Sequence, residues 1–308
     1  MSPRVLITHP APEALAREVE TILGEPLRWS RLDAGAESAE VWLCATQPPA
    51  STLALPGLRW IHSGWAGVEI WRSRPEWGPE IALTRTVGDF PQRVAEHVFG
   101  YLLARELGVP EALRQMEART WKRWTPGCIA GRTLLVVGYG AIGHAVGTVG
   151  RALGMGVEGI RRGPVGPLER ASGIRDGAEL DECLARAEFV VNLLPLTPAT
   201  ESFWDARRLG RMREGSTFVN VSRGGTVDEQ ALLDGLERGT PARALLDVFR
   251  DEPLPAAHPF RGHPAVWVTP HVAGIGTMEP LAREFAEHWR AYRAGLPLRN
   301  RVDRARGY

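Results

Sequence analysis

The stretch that most constrains this 308-residue chain runs from Thr133 to Gly143. Thr133-Leu134-Leu135-Val136-Val137 reads as a short buried strand. It runs directly into Gly138-Tyr139-Gly140-Ala141-Ile142-Gly143, and an apolar helical pattern follows to Leu153. A bare Gly-x-Gly-x-x-Gly is a weak signal, but one flanked by a strand and a helix is specific. Gly138 permits the tight turn, Gly140 lets the backbone approach a pyrophosphate, and Gly143 lets the helix pack close to the sheet. Ala141 and Ile142 open the helix, whose free N–H groups and partial positive charge suit phosphate.

Around this landmark, apolar runs alternate with helical patterns. Val5 to Thr8, Val41 to Ala45, Leu58 to His62 and Ile81 to Thr84 read as strands, with an amphipathic helix over Pro12 to Leu23. A long apolar-rich helix over Arg93 to Arg105 is a bridge into a second unit. Beyond it, Phe189 to Leu194, Thr217 to Val221, Ala244 to Val248 and Val266 to Thr269 are strand candidates, with helices over Asp228 to Arg238 and Met278 to Ala294. The Gly/Pro/Arg-rich segment Arg161 to Gly177 reads as a loop. Alternation of this kind favours parallel sheets covered by helices.

Composition removes several alternatives. Basic and acidic side chains number 37 and 36, for a net charge of +1. That balance gives no electrostatic reason to expect nucleic acid or a membrane surface as partner. Lys122 is the only lysine, in Trp121-Lys122-Arg123-Trp124, so there is no Gly-Lys-Ser/Thr phosphate loop and no second lysine for Schiff-base chemistry. Cys44, Cys128 and Cys183 are odd in number and widely spaced, which suggests neither a disulfide framework nor a metal site. No apolar leader precedes the first strand and no apolar run is long enough to span a bilayer, so a cytoplasmic location is expected.

In folds of this kind an acid about 20 residues beyond the glycines binds the ribose 2′-hydroxyl of NAD. Here Val157-Glu158-Gly159-Ile160 is followed by Arg161 and Arg162. A cation there suits a 2′-phosphate, which favours NADP. Arginine is abundant in this chain, so the missing acid is the better signal. Three later strand ends bear polar residues: Val221-Ser222-Arg223-Gly224-Gly225, Asp247-Val248-Phe249 with Glu252-Pro253, and Thr269-Pro270-His271 with Gly274. Ligands of open parallel sheets bind beyond the carboxyl ends of strands. Alone, Arg223 reads as a surface ion pair, Glu252 as a capping acid and His271 as a core histidine. Together, after a dinucleotide fingerprint, they read as a site.

These motifs, with His62-Ser63-Gly64-Trp65-Ala66-Gly67-Val68-Glu69, Leu194-Pro195-Leu196-Thr197-Pro198-Ala199-Thr200 and the closing Val302-Asp303-Arg304-Ala305-Arg306-Gly307-Tyr308, resemble the D-isomer-specific 2-hydroxyacid dehydrogenase family, most closely its glyoxylate/hydroxypyruvate reductase branch. The resemblance implies two doubly wound parallel-sheet α/β domains. A Rossmann cofactor domain over 95–278 would be inserted in a flavodoxin-like substrate domain formed by 1–94 and 279–308. It implies a catalytic triad of Arg223, Glu252 and His271. Cofactor contacts would come from Gly138, Gly140, Ala141, Ile142, Gly143, Arg161, Arg162, Leu194, Pro195, Thr200, Val221, Ser222 and Gly274, with Asp247 meeting the nicotinamide carboxamide. The backbone of Trp65, Ala66 and Gly67, with Arg223, would receive the substrate. The family's small residue at position 65 is a tryptophan here, and its acid after the second strand is replaced by Arg161. Formate dehydrogenases carry Gln where this chain has Glu252.

The activity so implied is reduction of a small 2-oxo acid to the D-2-hydroxy acid by NADPH, with His271 giving the proton, in a homodimer without metal. Histidine is the side chain that titrates near neutrality, and a carboxylate such as Glu252 beside it favours its charged form. A rival from another class is a non-catalytic dinucleotide sensor like the C-terminal-binding-protein corepressors, which share the fold and keep the triad. The absence of long disordered extensions favours the enzyme.

Overall fold

The computed structural model describes residues 3–32, 35–50, 53–65 and 67–304. They fall into two units, Met1–Phe90 with Gly276–Tyr308, and Pro91–Ile275. The expectation for Ala66 and the closing residues 305–308 lie outside the described residues.

The first unit opens with β1 (Val5–Thr8), α1 (Pro12–Leu23), β2 (Trp29–Ser30), β3 (Val41–Cys44), β4 (Trp60–Ser63) and β5 (Ala82–Arg85). The strands form an all-parallel sheet of order β2-β1-β3-β4-β5. Side chains alternate between two covered faces, which is why the strands read as unbroken apolar runs. Val5, Ile7, Val41, Leu43 and Trp60 pack with Leu15 and Val19 of α1. Leu6, Trp42, Cys44, Ile61 and Leu83 pack on the other side with Val68, Trp71 and Trp77. The two-residue β2 is too short to show any periodicity, and the sequence reading missed it.

The second unit is built from α2 (Phe90–Glu106), α3 (Val109–Ala118), β6 (Thr133–Val137), α4 (Ala141–Ala152), β7 (Gly156–Arg161), α5 (Pro167–Ala171), β8 (Ile174–Asp176), α6 (Leu180–Arg186), β9 (Phe189–Asn192), α7 (Ala206–Leu209), β10 (Thr217–Asn220), α8 (Glu229–Arg238), β11 (Arg243–Leu246), α9 (Pro259–Gly262) and β12 (Val266–Val268). Its seven-stranded sheet has the order β12-β11-β10-β9-β6-β7-β8, all parallel. Leu134 and Val136 face Val98, Phe99 and Val146, whereas Leu135 and Val137 face Leu184, Leu232 and Leu236. The strand order reverses between β6 and β9, the switch point at which such sheets bind nucleotides.

One expectation needs correction. The segment 161–177 is not a loop, because it contains α5 and the edge strand β8. Pro167 sits in the first turn of α5, where its missing N–H costs nothing. The Gly166 N–H donates to the Glu169 carboxylate at 3.0 Å, closing that turn. At Gly173, φ is +86° and a Cβ would stand 2.4 Å from the Val157 carbonyl oxygen. Glycine and proline punctuate two short elements here.

The final helix, α10 (Met278–Arg293), returns to the first unit, where Leu281, Phe285 and Trp289 join the face covered by α1. Phe285 stacks on Trp60 with ring centroids 5.3 Å apart. His62 of β4 is fully buried beside it, with Nδ1 2.8 Å from Thr84 Oγ1 and Nε2 3.1 Å from Thr86 Oγ1. His288 of α10 lies 5.2 Å from that ring and donates from Nε2 to the Arg299 carbonyl. Burial holds both imidazoles below the ordinary histidine range, and for His62 the His288 ring pushes in the same direction. The folded chain therefore favours neutral rings, while the unfolded chain takes up protons as pH falls through about 6.5. Below that point the unfolded state binds more protons, so stability is lost on acidification. We expect the melting temperature to hold above neutrality and to fall below about pH 6.5, each histidine contributing up to about 1.4 kcal/mol per pH unit. Thermal melts that are flat between neutrality and mild acid would contradict this.

Candidate active site

The glycine turn after β6 has the geometry that its residues demand. Gly138 adopts φ +101°, and a Cβ on it would lie 2.7 Å from the Leu193 carbonyl carbon. A Cβ on Gly143 would lie 2.8 Å from the Gly138 carbonyl oxygen, so only glycine lets α4 approach the turn this closely. At Gly140 the same position is open, with nothing within 4 Å. No side chain caps α4, so its first N–H groups, beginning at Ala141 and Ile142, are presented to whatever occupies that space. Tyr139 folds away from it, into a slot kept free by Gly147 and Gly159. An open cradle at a bare helix N-terminus fits a dinucleotide pyrophosphate.

Arg161 ends β7 and forms an ion pair with Glu169 of α5. The sequence reading found no acid at this strand end. The structure brings one there from eight residues on, through the short helix α5. Arg161 and Arg162 are both exposed.

Beyond β9, the turn that holds Leu194 and Pro195 is closed by Thr200, whose hydroxyl bonds to the Thr197 N–H at 2.8 Å and to the Pro195 carbonyl. Ser222, following the half-buried Val221, donates from its hydroxyl to the Leu194 carbonyl and so ties the ends of β9 and β10 together. Beneath them lies a buried pair that the sequence reading missed. Asn192 and Asn220 end their strands in register, and Asn192 Nδ2 donates to Asn220 Oδ1 at 3.0 Å and to Thr226 Oγ1 at 2.8 Å. Their remaining groups bond to the Leu194 N–H, the Ser222 N–H and the Arg223 carbonyl. The available signal was an asparagine closing each of two otherwise apolar runs, Phe189-Val190-Val191-Asn192 and Thr217-Phe218-Val219-Asn220.

Arg223, Glu252 and His271 follow β10, β11 and β12, three adjacent strands. Arg223 is half-buried, with one guanidinium nitrogen 2.7 Å from the Ser222 carbonyl. Glu252 and His271 meet directly, Nδ1 to Oε2 at 2.7 Å. The other Glu252 oxygen accepts from the Phe249 N–H at 2.9 Å. An ionised carboxylate only accepts, so Nδ1 carries hydrogen and Nε2 is left for a ligand. His271 is 44% exposed, which removes the core-histidine reading. Its backbone is left-handed, at φ +54°.

Asp247 is buried and heavily engaged. It accepts from the Val272 and Ala273 N–H groups, each at 2.9 Å, and from the Thr269 hydroxyl. It fastens the turn that carries His271 and Gly274, a role its motif did not suggest. In the first unit, Trp65 follows β4 and is 45% exposed, with Gly67 half-buried beyond it. Among the described residues no cluster of three or more His, Cys, Asp or Glu is placed to hold a metal ion. No described helix is long and apolar enough to cross a membrane.

A parallel sheet with its switch point between β6 and β9, a bare glycine turn there, and paired acid and histidine at neighbouring strand ends define a Rossmann-type dinucleotide-binding protein. Residues 99–273 match the model of the D-isomer specific 2-hydroxyacid dehydrogenase, NAD binding domain. The chain belongs to that family of nicotinamide-dependent oxidoreductases. It is 30% identical over 288 residues to glyoxylate/hydroxypyruvate reductase A of Serratia proteamaculans, covering 90% of this chain and 89% of that one. A D-isomer specific 2-hydroxyacid dehydrogenase of Xanthobacter autotrophicus, solved with NADPH and MES, superposes with a TM-score of 0.87 at 30% identity over the full length of both chains. A glyoxylate/hydroxypyruvate reductase of Sinorhizobium meliloti, solved with NADP and sulfate, gives 0.83 at 27% identity, again over the full length of both.

Proposed function

We propose that this protein reduces a small 2-oxo acid, such as glyoxylate or hydroxypyruvate, to the D-2-hydroxy acid, with NADPH as the preferred reductant. The 2.7 Å contact between His271 and Glu252 carries the reading, because it prepares an imidazole to donate from Nε2. When bound, NADPH supplies the hydride that no side chain can provide. Arg223 presents its planar fork to the substrate carboxylate and carbonyl oxygen, opposing the negative charge that develops there. His271 gives its Nε2 proton to that oxygen as the alkoxide forms, and Glu252 holds the ring in place through Nδ1. The test is nicotinamide absorbance with glyoxylate, hydroxypyruvate and other 2-oxo acids. Consumption of NADPH is expected. NADPH that binds but is never consumed across the panel would favour the sensor reading.

Cofactor choice rests on the end of β7. A 2′-phosphate carries close to two negative charges. Guanidinium groups of Arg161 and Arg162 can bond to it, at about 1.5–3 kcal/mol per charge-assisted contact, or roughly ten- to hundredfold. The Glu169 partner must be displaced or must share Arg161, which places the preference at the lower end. We expect the double change of Arg161 and Arg162 to Ala to erase most of the NADPH preference, and Glu169→Gln to increase it. Equal efficiency with NADH and NADPH in the unmodified protein would overturn the assignment. The homodimer usual in the family would find apolar surface on Leu113, Met116 and Trp121, all exposed.

A further inference from the structure

We propose that His97 is a positioning residue for His271, acting through Thr269 and Asp247. The inference rests on the reading of His271 as proton donor.

His97 lies on α2 with its ring 14% exposed. Nε2 stands 3.3 Å from Thr269 Oγ1 and 3.8 Å from Asp247 Oδ1. Hydrogen-bond counting fixes the direction of this chain. The Thr269 hydroxyl has one hydrogen, and it points to the Asp247 carboxylate, which can only accept. The Thr269 oxygen is therefore an acceptor towards His97, and Nε2 must carry the hydrogen. Burial holds His97 below the ordinary histidine range, against the opposing pull of Asp247. Asp247 is the charge that bears on the ring, and Tyr101, 4.7 Å away on the same helix, is its titratable neighbour. A neutral Nε2–H imidazole thus donates to Thr269, and Thr269 donates to Asp247.

Asp247 is the common anchor of the catalytic turn. Its backbone carbonyl accepts from the His271 N–H at 2.8 Å, and its carboxylate accepts from the next two N–H groups. These bonds hold His271 in a left-handed conformation that residues other than glycine rarely adopt. Packing alone does not fix the far end of the chain. His97, Tyr101, Val221, Asp247 and Thr269 line a cavity of about 10 Å³, a gap about the size of one water molecule beside the polar contact. Breaking that contact frees the Thr269 hydroxyl to rotate, loosens the carboxylate and carries His271 out of line with Glu252.

The experiment compares His97→Phe, which keeps an aromatic ring on Tyr101 but cannot donate, with His97→Gln, which can. The full-length protein is used in three measurements: proton NMR of the His271 Nδ1–H that bonds to Glu252, at one fixed pH and without substrate, steady-state reduction of glyoxylate by NADPH, and thermal melting. In His97→Phe that resonance should move upfield or be lost to exchange, because the ring loses its 2.7 Å alignment with Glu252. Its kcat should fall roughly ten- to hundredfold, the size of a small displacement of a catalytic group, with KM for NADPH little changed. His97→Gln should restore both readouts. Thr269→Val cuts the same chain from the other side and should reproduce His97→Phe; it decides the matter if the phenylalanine variant does not fold. An unchanged His271 Nδ1–H resonance in His97→Phe and Thr269→Val, or His97→Gln behaving like His97→Phe, would overturn the proposal. If the unmodified protein reduces no 2-oxo acid, the functional reading fails, while the Nδ1–H resonance still decides whether His97 positions His271.

Discussion

Replacing His271 with alanine should lower turnover by roughly 10²–10⁴-fold, the contribution of a lost general acid. Cofactor affinity should be largely kept. The imidazole reaches outward from a turn fastened by Asp247, and the cradle at Gly138 to Gly143 belongs to a different strand end. Thermal stability should change little, because the ring is partly exposed and its one side-chain partner, Glu252, is itself exposed. Exposed pairs of this kind contribute about 1 kcal/mol or less. The loss should therefore appear in kcat. A variant with wild-type turnover, measured at saturating NADPH and glyoxylate, would remove His271 from the chemistry and leave Glu252 as a surface partner.

A second large effect is expected at Gly224, beside Arg223. A Cβ built there would stand 1.8 Å from the Phe249 carbonyl carbon, 2.1 Å from its oxygen and 2.4 Å from the Arg250 nitrogen. All three atoms are backbone, so no rotamer change relieves the contact. The ends of β10 and β11 would have to separate, and the turn carrying Glu252 would move with them. Overpacking of ordinary cores costs about 1–3 kcal/mol, and a collision between two main chains should reach or exceed the top of that range. Gly224→Ala should thus lower the melting temperature by on the order of 10 °C. It should also depress turnover of the folded fraction more than any change at Gly225, where the same construction meets only the Leu196 side chain at 3.1 Å or more. A Gly224→Ala protein with unaltered melting would mean that the two strand ends are not held this closely.

The sequence and the structure divide the explanation along physical lines. Strands buried on both faces announce themselves as apolar runs, so β1, β3, β6, β9, β10 and β11 could be read directly, to within a residue or two at their ends. The glycine turn could be read because its backbone needs leave no other residue type. Polar residues at three strand ends were visible as well, but their adjacency depends on the order β12-β11-β10, which no local pattern encodes. Contacts that depend on the register of separate elements were hidden. Asn192 meets Asn220 because β9 and β10 pair in one register, and Glu169 reaches Arg161 because a five-residue helix begins at Pro167. Asp247 shows a further limit. The motif marks it as functional, but only coordinates show its carboxylate oxygens engaged by the turn beside it.

The segment after α3 has a practical consequence. Residues 120–128 lie exposed and without regular structure, yet they are pinned. Gln115 bonds to both backbone groups of Lys122, at 2.7 and 3.0 Å, and the Trp124 indole donates to the Leu107 carbonyl at 3.2 Å. The only lysine of the chain is thus an exposed amine on a tethered strap, next to Trp121 and near Trp124. Apart from the terminal amine, an amine-reactive dye has one place to attach. Tryptophan quenching at that place offers an optical gauge of whatever settles on the strap, and it requires no engineered cysteine and no change to Arg223, Glu252 or His271.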